Sequence, residues 1–237
     1  MNIVIAGYGE IGQAIHSLYT PDGFDIATVE IDGACQLEKA DVLNICFPYS
    51  DTFVQDVTCY IARFNPSLTI IHSTVLPGTT DAIDDTHVVY SPVIGIHPEL
   101  SVCLKTFKKF IGGKTTESIK CAQQHFALLG LDCVVFASPK AVETAKTLCT
   151  LYYGMCISFH DEVNDLCKRE GLHYDEVMTA WNSEYNRGYT ALGKSNVCRP
   201  VLFSPNGKIG GHCIIPNAKM IASYFKSVII KYVLRLS

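Results

Sequence analysis

Two short stretches hold residues whose types and spacing could do chemistry. The first is Gly7-Tyr8-Gly9-Glu10-Ile11-Gly12, set between a short apolar run and apolar residues at helical spacing. In a strand-turn-helix of this pattern the first glycine permits the tight turn. The second lets a pyrophosphate approach the backbone, and the third lets helix pack on strand. The N–H groups that open the helix would then face the phosphates. At the end of the next apolar run stands Glu30, placed to accept a hydrogen bond from a ribose 2′-hydroxyl and to repel a 2′-phosphate; Asp32 is the alternative partner. The cofactor expected is therefore NAD rather than NADP. The second stretch is Lys208-Ile209-Gly210-Gly211-His212-Cys213, a thiol beside paired glycines. Backbone can crowd a ligand there and sulfur can reach a bound carbonyl. From spacing alone, a buried structural cysteine is the better reading. His160 and Asp161 adjoin without further ligand spacing, so no metal is assigned.

These residues need elements to position them. Apolar runs predict strands over 2–6, 24–31, 41–47, 68–72, 88–91 and 132–137, with helices after the first glycine turn, over 51–64 and over 116–129. Too few residues lie between the second and third runs for a crossover helix, so a loop or single turn is expected there. Alternating βα units of this kind imply an α/β domain, a Rossmann-type doubly wound, mostly parallel sheet covered on both faces, over 1–137. Beyond Pro139 the strand signal stops. An α-helical domain is expected over 138–237, built on one long central helix, largely buried, over 140–169. A second helix is expected over 174–181, an irregular stretch over 183–211 and a last helix over 217–234. On the last, Lys219, Lys226, Lys231 and Arg235 read as a solvated face.

Bulk composition narrows the partners. A net charge of −4 over 237 residues gives no basic face for nucleic acid or an anionic membrane, so a small molecule is expected instead. No uncharged run is apolar enough to span a bilayer, and no signal peptide opens the chain. The 11 cysteines are scattered through apolar runs without paired spacing, which fits reduced thiols and a cytoplasmic location.

Four segments, in order, resemble the UDP-glucose/GDP-mannose dehydrogenase family, especially its UDP-N-acetylhexosamine members. They are the glycine fingerprint with Glu30, then Ser73-Thr74-Val75-Leu76-Pro77-Gly78-Thr79, then Glu143-Thr144-Ala145-Lys146 leading to Phe159-His160-Asp161-Glu162-Val163-Asn164-Asp165-Leu166-Cys167 and Gly171, and finally Gly210-Gly211-His212-Cys213. The resemblance implies that Cys213 is a nucleophile that holds substrate as a thiohemiacetal and then a thioester while two NAD are reduced. It implies that Lys146 stabilises oxyanion charge, that Ser73 and Thr74 lie near the nicotinamide, with Thr74 also near the catalytic water, and that Pro48 lies against the cofactor. It also implies a homodimer through the long helix and a sugar or nucleotide sugar as substrate.

The departures fall on the water step. Where the family writes S-P-E-F-L-x-E, this chain has Ser91-Pro92-Val93-Ile94-Gly95-Ile96-His97, so its carboxylates become Val93 and His97. The family's asparagine after the lysine is Thr150, its acid after the cysteine is Asn217, and its second α/β domain, which grips the nucleotide, has no counterpart here. His97 is either a substitute general base, since imidazole titrates near neutrality, or a plain loop histidine. Three functions follow as alternatives: NAD-dependent oxidation of a sugar alcohol through Cys213, a two-electron hydroxyacid-type dehydrogenase using Lys146 alone, or a weakened NAD-binding protein acting through a partner.

Overall fold

The computed structural model describes residues 1–19, 23–30, 33, 35–203, 209 and 213–237. The chain divides into two compact units, Met1–Lys146 and Thr147–Ser237.

The first unit opens with β1 (Asn2–Ala6), α1 (Glu10–His16), β2 (Asp25–Val29), β3 (Val42–Ile45), α2 (Phe53–Phe64), β4 (Leu68–Ile71), α3 (Thr79–Ala82) and β5 (Val88–Tyr90). It continues with α4 (Leu100–Thr106), β6 (Lys109–Gly113), α5 (Thr116–Leu128) and β7 (Cys133–Val135). The strands form one sheet in the order β2-β1-β3-β4-β5-β6-β7. Every neighbouring pair is parallel except β5 and β6. Period-2 alternation sends Ile3 and Ile5 into one core with Leu18 and Phe126, and Val4 and Ala6 into a second with Phe53 and Phe64. Both faces are thus apolar and both are covered, as a doubly wound sheet requires. Helix α2 seals its face with Phe53, Val57, Tyr60 and Phe64, all buried at helical spacing. Each such side chain contributes about 1.5–3 kcal/mol by leaving water. Helix α5 is capped by Thr115, whose hydroxyl accepts the Ser118 N–H at 3.0 Å. No helix joins β2 to β3 among the described residues; Cys35 and Leu37 pack a loop against the second core instead.

Strand β6 and helix α4 were not foreseen from the sequence. Strand β6 begins with a lysine and ends on two glycines, residue types depleted from strands, and its antiparallel pairing breaks the βα alternation.

Helix α6 (Pro139–Glu170) is the long one, 32 residues, and its first two turns belong to the first unit. In the second unit it is not largely buried: Tyr152, Tyr153 and Phe159 are about half exposed. The chain then makes a π-helical stretch, Asp175–Ala180, that runs directly into α7 (Trp181–Ala191). Helix therefore occupies the first part of the stretch expected to be irregular. Asn182 is the only buried residue of α7, so the polar sequence gave no apolar stripe to read. The expected last helix is two, α8 (Ile214–Ile221) and α9 (Val228–Leu234). Ser227 accepts the Ile229 N–H at 3.2 Å and starts α9 afresh, which breaks the register the periodicity implied. Leu151 of α6 packs with Ile214, Ala218, Ile230 and Val233 as the core of this unit. Lys219, Lys226, Lys231 and Arg235 are exposed as expected, and Arg235 also pairs with Glu162 at 2.6 Å and donates to the Ser158 carbonyl at 3.0 Å. All 11 cysteines are free thiols, and no helix among the described residues is long and apolar enough to cross a membrane.

Candidate active site

The glycine turn lies where strand order reverses, between β1 and its neighbours β2 and β3. Gly7 has φ +89°, a left-handed conformation, and a Cβ there would come within 2.8 Å of the Phe47 amide nitrogen. A Cβ on Gly12 would lie 2.0 Å from the Gly7 carbonyl oxygen, so helix and strand touch at that point. Gly9 differs: nothing lies within 4 Å of where its side chain would be. Two glycines are thus fixed by packing and the middle one opens on space, which is the cradle a pyrophosphate needs. Ile11 is half-buried beneath it. Glu30 reaches the same turn and accepts the Tyr8 N–H at 2.9 Å. Asp32 lies outside the described residues.

Strand ends β3 and β4 supply the next residues. Ser73 is buried and donates its hydroxyl to the Phe47 carbonyl at 2.6 Å, tying the two ends together. Pro48 follows on the exposed side and Thr74 is half-buried. Their turn is held by Glu143 of α6, whose carboxylate accepts the Thr80 N–H at 2.8 Å, the Thr80 hydroxyl at 2.6 Å and the Gly78 N–H at 2.5 Å. Burial raises the carboxyl pKa, and these three hydrogen bonds oppose the rise. This explains why the second and third sequence segments occur together: one is the anchor of the other.

One turn along α6, Lys146 donates to the Val93 carbonyl at 2.8 Å. The Val93 side chain itself is buried in the first core, with no group that could act on water. The same segment is gripped from its other side by Lys109 of β6, which donates to the Ser91 and Pro92 carbonyls, each at 3.1 Å. Three consecutive carbonyls are thus held by two lysines. Lys109 is only 3% exposed, and burial pulls its pKa down to about 7. His72 joins this network, with Nδ1 3.0 Å from the Ser91 carbonyl oxygen and Nε2 2.9 Å from the Asn44 side-chain amide. Asn44 in turn contacts the Tyr19 hydroxyl at 3.0 Å, and that hydroxyl lies 2.9 Å from His125. Sequence reasoning missed Lys109, His72 and Asn44, because single polar residues in apolar runs read as solvated or incidental. Four residues past Val93, His97 faces the glycine turn, with Nδ1 2.5 Å from Glu10.

Cys213 and Asn217 belong to the second unit. Cys213 is exposed and is the residue before the first turn of α8, and its carbonyl accepts the Asn217 N–H at 3.1 Å. Gly210, Gly211 and His212 lie outside the described residues. Thr150 is half-buried on α6. A cavity of about 750 Å³ in this unit is lined by Tyr152, Phe159, His160, Arg199 and Tyr232 among others, and neither Cys213 nor Asn217 borders it. Among the described residues no three His, Cys, Asp or Glu side chains gather as metal ligands.

No family model matches the chain. It is 22% identical over 267 residues to the UDP-N-acetyl-D-mannosamine dehydrogenase of Methanocaldococcus jannaschii, which covers 90% of this chain. The chain spans 59% of that curated relative. The UDP-D-ManNAc dehydrogenase of Pyrococcus horikoshii superposes with a TM-score of 0.79 at 16% identity, over 100% of this chain and 68% of that one. The chain resembles the nucleotide-sugar dehydrogenases. A 3-hydroxyisobutyrate dehydrogenase of Mycobacterium tuberculosis shares the fold as well, with a TM-score of 0.71 at 14% identity over 98% of this chain and 91% of that one. The chain therefore shares the fold of these structures, Rossmann-like sheet first and helices second.

Proposed function

We propose that the chain is an NAD-dependent oxidoreductase that oxidises an alcohol of a nucleotide sugar or similar polyol through Cys213. The observation that carries this reading is the glycine turn, fixed at Gly7 and Gly12, open at Gly9 and carrying Glu30. NAD bound there supplies a hydride acceptor. The Glu30 carboxylate beside Tyr8 favours a ribose hydroxyl and opposes a 2′-phosphate. The alcohol carbon gives up hydride and its hydroxyl a proton. The aldehyde carbon then bonds to the Cys213 sulfur as a thiohemiacetal, whose carbon gives a second hydride to a second NAD and whose hydroxyl gives up its proton, leaving a thioester. Water breaks the carbon–sulfur bond, leaving a carboxylate and the free thiol. Lys146 stabilises the oxygen that carries negative charge, and Thr74 and Asn217 complete the set of proposed catalytic residues. The relatives' printed activities support this assignment.

A second reading is favoured by Val93, buried where a carboxylate would be needed, and by Asn217, whose amide cannot deprotonate water. Under it the enzyme is a two-electron dehydrogenase of the hydroxyacid type, with Lys146 alone managing oxyanion charge. We also propose a homodimer through α6, supported by Tyr152, Phe159 and Val228, which are 56%, 50% and 80% exposed on the second unit.

The test is NADH formation by the purified chain with NAD and a panel of nucleotide sugars, free sugars and hydroxyacids. Two NADH per substrate, lost about 100-fold or more in Cys213→Ser, is the expected result. One NADH per substrate, undiminished in Cys213→Ser, would establish the second reading. NADP used as well as NAD would overturn the role of Glu30.

A further inference from the structure

Glu10 poses a problem for the site just proposed. It is the first residue of α1 and directly follows Gly9, on the open side of the turn. A dinucleotide pyrophosphate brings about two negative charges to that place, and a carboxylate beside it opposes binding. The side chain of Glu10 is 56% exposed, and the partner it has is His97, at 2.5 Å. His97 comes from a segment whose start is fixed, since Lys109 and Lys146 hold the carbonyls of Ser91, Pro92 and Val93. The imidazole is thus delivered to the turn by the folded sheet.

The geometry points to His97 as a binding determinant for the dinucleotide phosphates: in contact with Glu10 through Nδ1, it holds that carboxylate toward the 94–99 loop, away from the N–H groups of the glycine turn. The inference rests on the NAD reading of that turn. It gives the histidine that stands in place of a carboxylate a task on the cofactor side, separate from activating water. Its Nδ1 lies 2.5 Å from a Glu10 carboxylate oxygen, so this loop histidine touches the turn itself.

The test is a double-mutant cycle read by NADH binding, using intrinsic fluorescence or calorimetry on the full chain. His97→Ala should weaken NADH binding about three- to tenfold, as expected for exposing one uncompensated charge beside a phosphate pair. Glu10→Gln should bind NADH at least as tightly as the unaltered protein. In the Glu10→Gln background, His97→Ala should lose its effect. His97→Lys, which places a cation near Glu10, should recover most of the affinity. Adenosine, which lacks phosphate, should bind all variants alike. Both side chains reach solvent, at 29% and 56% exposure, so thermal melts should be unchanged. Equal weakening by His97→Ala in both backgrounds, with NADH still binding the unaltered protein, would overturn the inference alone. No NADH binding by the unaltered protein would overturn the NAD reading and the inference with it.

Discussion

At the scale of single residues, the least expected feature is a buried lysine at the start of strand β6. With its pKa drawn down to about 7, Lys109 is largely neutral at slightly alkaline pH, and a neutral amine has two N–H groups for the two carbonyls it faces. In the unfolded chain the same amine holds its proton up to about pH 10.4. Between these values the unfolded state binds more protons, so folding stability rises with pH, by up to about 1.4 kcal/mol per unit. His72 and His125 add to the same trend at lower pH. Burial lowers both, His125 to about 4, so stability falls as pH drops below about 6.5 toward 4. Denaturant melts should show a midpoint that climbs from pH 7 to 9, and Lys109→Met should flatten that climb. A slope unchanged in the variant would show that the proton is not lost from Lys109. None of this was legible beforehand, because burial is a property of the assembled sheet and a lysine in a sequence carries no mark of it. Gly7, Gly12 and Glu30 were legible, since their requirement is local: a turn, a contact and a strand end.

At the scale of elements, what could be read was what repeats. The strands β1 to β5, α2 and α5 lie within a residue or two of the predicted runs, because a sheet buried on both faces leaves long apolar stretches. Strand β6 and helix α7 escaped because one is glycine-rich at its end and the other faces water. The break between α8 and α9 escaped because four-residue spacing continues across it by coincidence. Yet one interruption in the long helix had a visible cause. A Cβ on Gly154 would lie 2.6 Å from the Ile214 Cγ2 and 3.0 Å from the Val233 Cγ1, so α8 and α9 approach α6 at its missing side chain. Gly154→Val should destabilise the second unit by about 1–3 kcal/mol, despite the helix propensity gained, because the neighbours must move. Gly154→Ala should cost less. Unfolding followed by circular dichroism measures both, and an unchanged or raised midpoint for the valine variant would refute the packing argument.

At the scale of the whole molecule, α6 begins with polar side chains that hold neighbouring turns and continues with bare aromatic surface. Glu143 and Lys146 occupy its first two turns, and Tyr152 and Phe159 follow on the second unit. A surface of this kind calls for a cover, and the proposed twin provides one. Sedimentation velocity at micromolar concentration should give a dimer, and Phe159→Asp should give a folded monomer. A monomer before any substitution would remove the homodimer from the proposal. The free thiols offer a different consequence. Cys46 is enclosed in the first unit, Cys156 and Cys167 in the second, while Cys59, Cys149 and Cys213 face solvent. The chain therefore carries its own stopwatch. Exposed sulfurs take an alkylating reagent at once, and the enclosed ones take it only when their own unit opens, so mass spectrometry of the labelled peptides would time the breathing of each unit separately, without any added probe.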